Sequence, residues 1–379
     1  MKKVIVLGAG LIGKTIAIDL SRKYDVSCAD IQMCALEALS PKFNVTVIPC
    51  DLRDKIALNA LVKDYDLVIG AVPGFMGFEI LKTVIEAGKN VVDISFFPEN
   101  PFELDALAKK NNVIAVTDCG VAPGLCNIFA GYHHAQEKII GYECLVGGLP
   151  VVREWPFEYK AVFSPADVIE EYTRPANYVE NGKPVVKEAL SEIEKVVFNE
   201  IGELEAFNTD GLRTLAHTMS EVPNMKEKTL RYAGHAGLMK IFHETGLFSK
   251  TPVEIKGVSI TPLEFTSKLL FPKWKLKPGE EDFTIMRVTI ETEKENIIYT
   301  LLDRFDKTTN TTSMARTTGY TCTAVAGLIL EGKYLRKGIS PSEFVGEEKN
   351  CYEDVMKYLG ERNVVCKKEV ITKKELVTI

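Results

Sequence analysis

Paired cysteines are missing from this sequence. Its nine cysteines stand singly, at positions 28, 34, 50, 119, 126, 144, 322, 351 and 366, and none form a Cys-x-x-Cys pair. Scattered thiols of odd number argue against a disulfide framework and read as reduced, small core residues. Histidine is scarce too, with five in 379 residues. His133 and His134 are adjacent, so a helix aims them at different faces, and His217, His235 and His243 have no partner at ligand spacing. No metal site is expected. No apolar run approaches the roughly 20 residues of a spanning helix, so no membrane segment is expected. The start shows no basic stretch followed by an apolar one, which predicts no secretory leader and a cytoplasmic location. Charge is interspersed, 46 Lys+Arg against 52 Asp+Glu for a net −6. That balance argues against nucleic acid or an anionic membrane as a partner. Low-complexity segments and internal repeats are absent as well. What is left is an ordinary globular composition, 46% hydrophobic and 26% charged, in a chain long enough for two or three domains.

The chain is organised around its first thirty residues. Val4–Leu7 reads as a buried strand, Gly8-Ala9-Gly10-Leu11-Ile12-Gly13 spells G-x-G-x-x-G, and Lys14–Leu20 continues as an amphipathic helix. A strand feeding a glycine turn feeding a helix is the setting of a dinucleotide-binding fingerprint. Gly8 permits the tight turn, Gly10 lets the backbone approach a pyrophosphate, and Gly13 lets the helix sit close to the strand. The helix N-terminus offers unpaired N–H groups and the positive dipole end. A second strand, Asp25–Ala29, ends at Asp30. A carboxylate there accepts from the adenosine ribose and repels a 2′-phosphate, and Gln32 and Met33 bring no cation, so NAD is the expected cofactor.

Strands are expected at 44–48, 66–70, 90–94 and 113–117, alternating with helices, which argues for a doubly wound domain. Their carboxyl ends deliver Asp51 and Leu52, where an adenine-edge contact and a helix cap are both open readings, then Ala71, Val72 and Pro73, then Asp93 and Ser95, then Asp118, Cys119 and Gly120. From about residue 123 the pattern changes. Long strands are expected at 139–149, 283–291 and 297–303, a hairpin turns at Asn181-Gly182, and helices are expected around 228–244 and 262–270. Runs of strands and runs of helices indicate an α+β domain with a largely antiparallel sheet. A small-residue helix at 321–331 is placed back on the nucleotide domain. The expected division is therefore 1–122, joined by 316–379, and 123–315.

Several stretches are long and unlike generic dehydrogenase motifs: Val68–Phe75, Asp93–Pro101, Gly120–Leu125, Val146–Pro150, Ile169–Pro175, Asp210–Arg213, and Thr229–Arg231 with Gly234-His235. On these the chain resembles the saccharopine dehydrogenase-like family, and within it the lysine 6-dehydrogenases. The resemblance implies an α/β fold, an N-terminal Rossmann domain followed by an α+β catalytic domain, and a homodimer. It also implies oxidative deamination at the ε-carbon of L-lysine, with NAD taking a hydride and water then releasing ammonia. Ala122 stands where saccharopine-forming members look to carry an aspartate, which agrees with lysine over saccharopine. The alternatives are a saccharopine or carboxynorspermidine-type dehydrogenase and a non-catalytic NAD-binding protein.

Hydride transfer from an amine carbon needs a neutral amine, and an amino acid substrate needs a cation for its carboxylate. Arg174, Arg213, Arg231 and Arg316 are the clamp candidates because the guanidinium fork matches a carboxylate; each also reads as a salt-bridge residue. His235 reads as an acid–base group or as a helix-packed histidine. Asp93 and Cys119 sit beside the expected cofactor, and Tyr159, Tyr172 and Thr173 accompany the substrate motifs.

Overall fold

Short apolar strands of four to six residues, each followed by a helix, fold in the first third of the chain into a parallel sheet. The computed structural model describes residues 1–39 and 43–373. Two units are present: Met1–Glu137 with Met314–Val365, and Lys138–Ser313 with the chain from Cys366 on.

In the first unit the strands are β1 (Lys3–Leu7), β2 (Asp25–Asp30), β3 (Val45–Pro49), β4 (Leu67–Gly70), β5 (Asn90–Asp93) and β6 (Ile114–Thr117). With a seventh strand, Gly338–Pro341, the order is Gly338–Pro341, β6, β5, β4, β1, β2, β3, and all neighbours are parallel. Both faces are covered by helices, so the strands carry near-continuous apolar runs; Val4–Leu7 and Leu67–Ile69 are fully buried. Strand order reverses at β1, which pairs with both β2 and β4. The carboxyl edge beside that switch point is where ligands bind in open α/β sheets.

The first division between domains falls later than expected. The helix Leu125–His134 belongs to the first unit because it interlocks there with the helix Ser342–Glu347. A Cβ on Gly131 would stand 1.9 Å from the Glu343 carbonyl, and one on Gly346 would stand 2.1 Å from that of Ile128. The expected return of residues 316–379 also needs correcting. The helix Ser313–Leu330 from Met314 on and the chain to Val365 lie in the first unit, but Cys366–Thr372 pairs antiparallel with Glu295–Arg304 of the second. The last six residues lie outside the described part.

The second unit is built on a sheet in the order Glu194–Phe198, Gly202–Asn208, Met225–Arg231, Ile139–Pro150, Asp282–Thr292, Glu295–Arg304, Cys366–Thr372, with the hairpin Ala176–Glu180/Lys183–Lys187 attached. It is antiparallel except where Met225–Arg231 runs parallel to Ile139–Pro150. Met225–Arg231 corrects the expected helix over 228–244, which begins only at His235. Its charged residues hid the strand period. Lys228 is buried and reaches the Glu194 carboxylate and the Glu192 carbonyl, both at 2.8 Å, and Arg231 turns inward as well. Paired charges inside a sheet look polar in sequence and solvent-facing until their partners are known.

Candidate active site

The glycine turn after β1 is fixed by close backbone approach. Gly8 has φ +110°, and a Cβ there would meet the Ala71 carbonyl at 2.3 Å; one on Gly13 would meet the Gly8 carbonyl at 2.1 Å. These two glycines seat the turn on the loop after β4 and the helix Leu11–Leu20 on the turn. Gly10 differs, because nothing stands within 4 Å of its missing Cβ. Its open side, beside first-turn N–H groups that have no intrahelical partner, is a cradle that a pyrophosphate fits. Leu11 is half-exposed at this edge and Ile12 is partly buried. The Asp30 carboxylate closes the loop from the β2 side: Oδ2 accepts from the Ala9 amide at 2.7 Å and Oδ1 from the Gln32 amide at 2.8 Å.

The other strand ends lie along the same edge. Val72 is buried, and Pro73 caps the helix Gly74–Glu86. Asp93 is fully buried; its Oδ1 accepts from the Ser95 amide at 2.8 Å and its Oδ2 from the Ser95 hydroxyl at 3.1 Å, while Gly70 leaves room for it. Asp93 and Ser95 thus build the turn after β5. Cys119 is also fully buried, and burial pushes its thiol up to about 12, which removes it from acid–base chemistry at neutral pH. Gly120 and Gly124 fold the next bend so tightly that a Cβ on Gly124 would meet the Gly120 carbonyl at 2.0 Å; its Ala122–Pro123 bond is cis. At the end of β3, Asp51 does not cap the following helix. Asp54 does, accepting from the Ile56 and Ala57 amides, and Asp51 pairs with Arg53. Leu52 is buried.

In the second unit, the residues quoted for the chemistry form two groups. The first is a buried relay. Arg231 donates from Nε to the Tyr172 hydroxyl at 3.2 Å and from Nη2 to Glu171 Oε2 at 2.6 Å. The Tyr172 hydroxyl lies 2.9 Å from His235 Nε2, and His235 Nδ1 lies 2.9 Å from the Phe157 carbonyl. A carbonyl only accepts, so Nδ1 carries the proton and Nε2 accepts from Tyr172. Burial, with the Arg231 charge second, pushes His235 down to about 3, so it is a neutral ring with both nitrogens engaged. This corrects its reading as an acid–base group. Arg231 is corrected too: its guanidinium is committed to Glu171 and Tyr172 and sits 4.6 Å from the centre of the Tyr159 ring. Tyr159 is buried beside that guanidinium, and its hydroxyl has no hydrogen-bond partner of good geometry among the described residues. Thr173 spends its hydroxyl on the Ile169 carbonyl of its own helix, at 3.0 Å.

The second group is the pair Arg174 and Arg213. Arg174 ends the helix Pro165–Thr173, with Nη2 3.7 Å from Glu170 Oε2 and Nη1 3.9 Å from Asp210 Oδ2. Burial, and then the charge of Arg213, push its guanidinium down from the usual value, which places the two arginines in one neighbourhood. Arg213 has φ +52°, a left-handed conformation that a bulky residue adopts only when its surroundings fix it. The surroundings are the loop Thr209–Arg213. Asp210 Oδ1 accepts from Asn177 Nδ2 at 2.9 Å, and Gly211 lies so close to Glu227 that a Cβ would overlap its carboxylate at 0.6 Å. Arg316 lies in the first unit and donates to the Arg362 carbonyl at 3.0 Å. Sequence reasoning passed over Glu170, Glu171 and Asp210 as actors, although all three stand inside quoted motifs. The partners of Glu171 and Asp210 lie tens of residues away, while Glu170 meets Arg174 one helical turn on.

Among the described residues, no group of three or more His, Cys, Asp or Glu could hold a metal ion, and no helix is long and apolar enough to cross a membrane. Two family descriptions match the chain in tandem: the saccharopine dehydrogenase NADP binding domain over residues 4–116 and the saccharopine dehydrogenase C-terminal domain over residues 120–365. Among curated relatives, the mitochondrial alpha-aminoadipic semialdehyde synthase of Mus musculus is 27% identical over 285 residues, 71% of this chain and 31% of that protein. The saccharopine dehydrogenase (NADP(+), L-glutamate-forming) of Pyricularia oryzae is 26% identical over 284 residues, 71% of this chain and 63% of that protein. The chain therefore spans less than two thirds of these relatives. Of solved structures, apo saccharopine dehydrogenase (L-Glu forming) from Saccharomyces cerevisiae superposes with a TM-score of 0.77 at 20% identity, covering 98% of this chain and 100% of that one. Homospermidine synthase from Legionella pneumophila, in complex with NAD, gives 0.70 at 11% identity, covering 100% and 93%. These two likenesses concern the fold. The tandem match of both domain descriptions is decisive: the chain belongs to the saccharopine dehydrogenase family.

Proposed function

We propose that this chain is an NAD-dependent amino acid dehydrogenase that deaminates L-lysine at its ε-carbon. The observation that carries the reading is the dinucleotide edge, an open Gly10 cradle facing Asp30 at the end of β2, in a chain of this family. The family description names NADP; the carboxylate of Asp30, followed by Ile31, Gln32 and Met33, favours NAD here. NAD supplies the hydride acceptor. Arg213 and Arg174 take the α-carboxylate of the substrate, and Asp210 and Glu170, which flank Arg174, answer its α-ammonium. The ε-amine must arrive neutral, against an ordinary pKa near 10.4, because an ammonium has no lone pair to drive hydride departure. Loss of the hydride leaves an imine, and water converts it to ammonia and 2-aminoadipate 6-semialdehyde, which cyclises to piperideine-6-carboxylate. Lysine is chosen over saccharopine on Ala122, an apolar residue where the saccharopine-forming pattern has a carboxylate. A saccharopine-type secondary amine is the second reading. The names of the relatives and the presence of two guanidiniums, enough for more than one carboxylate, favour it.

NADH formation with lysine, with saccharopine and with no amine separates the readings. Turnover of lysine alone supports the first, saccharopine alone the second, and dinucleotide binding without turnover of either overturns both. The clamp is tested by Arg213→Ala with lysine and cadaverine, which lacks the carboxylate. Truncating one partner of a desolvated charge pair costs about 2–5 kcal/mol, so kcat/KM for lysine is expected to fall roughly thirty-fold or more. Cadaverine is expected to be a poor substrate whose turnover falls much less. Equal losses for both would mean that Arg213 holds structure and not the carboxylate.

A further inference from the structure

Strands β2 and β3 run parallel with Asp30 opposite Pro49, and the Cys50 amide donates to the Asp30 carbonyl at 3.0 Å. The next residues, Asp51-Leu52-Arg53, therefore start alongside the residue that in this fold faces the adenosine ribose. Residues 30–36 read Asp-Ile-Gln-Met-Cys-Ala-Leu, with no cation, and Ile31 and Met33 expose apolar side chains. Two cations follow β3. Lys55 is paired with Glu79 at 2.6 Å. Arg53 directs its fork back along its own chain, Nε to Asp51 Oδ1 at 2.9 Å and Nη2 to Asp51 Oδ2 at 2.8 Å, and its amide adds a third bond to Oδ1 at 3.0 Å.

A planar guanidinium fork is the group that recognises a phosphate, and here a carboxylate fills it. Resting on the dinucleotide-binding reading above, we propose that Asp51, by occupying the Arg53 guanidinium, denies a 2′-phosphate its counter-ion and so sets the preference for NAD over NADP. A 2′-phosphate brought to this edge meets the carboxylates of Asp30 and Asp51, while the Arg53 guanidinium is already neutralised. Hydrogen bonds from Arg53 hold the Asp51 carboxyl down at about 2, so the pair stays ionised throughout the neutral range. Both side chains are largely exposed, at 66% and 41%. Because the pair is exposed, removing the Asp51 charge releases Arg53 without disturbing the fold.

The experiment measures binding and not turnover. The full chain is titrated with NADH and with NADPH by dinucleotide fluorescence, as wild type, Asp51→Asn, and Asp51→Asn with Arg53→Ala. Wild type is expected to bind NADH the more tightly. Asp51→Asn is expected to shift the ratio of NADPH to NADH affinity about ten-fold toward NADPH, the worth of one charge-assisted bond, and any adenine-edge contact of Asp51, common to both dinucleotides, cancels in that ratio. The double variant is expected to lose the gain. An unchanged NADPH-to-NADH ratio in Asp51→Asn, or a gain kept by the double variant, overturns the inference. Binding of neither dinucleotide by wild type overturns the cofactor reading itself, and the inference with it; that outcome is distinct from an unchanged ratio.

Discussion

At the His235 ring both nitrogens have partners, and the environment sets the rest. Burial holds its pKa near 3, against 6.5 in the unfolded chain. The sign follows from linkage: above pH 6.5 neither state is protonated here, and below it the unfolded chain binds a proton that the folded one refuses. Stability from this site is complete above 6.5 and is lost as pH falls toward 3, at about 1.4 kcal/mol per unit. Between pH 7 and pH 5, wild type is expected to lose about 2 kcal/mol more than His235→Gln in urea unfolding. Equal losses would show that the ring is not the buried neutral group described. The sequence left His235 open, as a neutral-range acid–base group or a helix-packed ring, because nothing local shows its partners. Tyr172 is 63 residues away and Phe157 78. Gly8 and Gly13 were legible for the opposite reason, since what they do is a matter of their own backbone and lacking side chains.

The element with the least warning in sequence is the crossing of Leu125–His134 and Ser342–Glu347. Each helix places a glycine where the other's backbone comes closest, Gly131 under Glu343 and Gly346 under Ile128, and Asn127 Nδ2 donates to Glu343 Oε2 at 3.1 Å in the buried seam. These partners lie 216 residues apart, so no window of sequence contains the reason for either glycine. Gly131→Ala and Gly346→Ala are each expected to cost about 1–3 kcal/mol by forcing the helices apart. The double variant is expected to lose less than the sum, because the first methyl already opens the contact the second would strain. Denaturant unfolding of the three variants measures this, and additive losses would mean that the glycines act separately. The strand Met225–Arg231 was illegible for a related reason. Glu227, Lys228 and Arg231 are buried in it, and period-two reading counts charges as outward.

At the scale of the whole molecule, the chain leaves its first unit after Glu137 and re-enters it at Met314. The alternating strands and glycines made the Rossmann part legible over residues 1–117. They could not show that this part is incomplete by itself. Its sheet takes Gly338–Pro341 as a parallel seventh strand beside β6, with Gly338 opposite Ile114 and Pro341 opposite Thr117. Cys322, Val325 and Ala326 of the helix Ser313–Leu330 are wholly buried, and Asp19 of the first helix accepts from Thr323 at 2.8 Å, Tyr358 at 2.7 Å and Arg362 at 2.9 Å. Removing residues 314–365 therefore uncovers the β6 edge, an aggregation liability that adds to the β3 edge at the other end of the sheet. It also leaves the Asp19 carboxylate without these three donors, with Arg22 Nη1 remaining at 3.8 Å, in a buried place where a poorly satisfied charge is costly. The fragment 1–137 expressed alone is expected to be insoluble or to melt without a cooperative transition. Co-expression with 314–365 is expected to restore a cooperative transition and dinucleotide binding together, because both segments stand behind one sheet edge. A cooperative, dinucleotide-binding 1–137 fragment would refute this division.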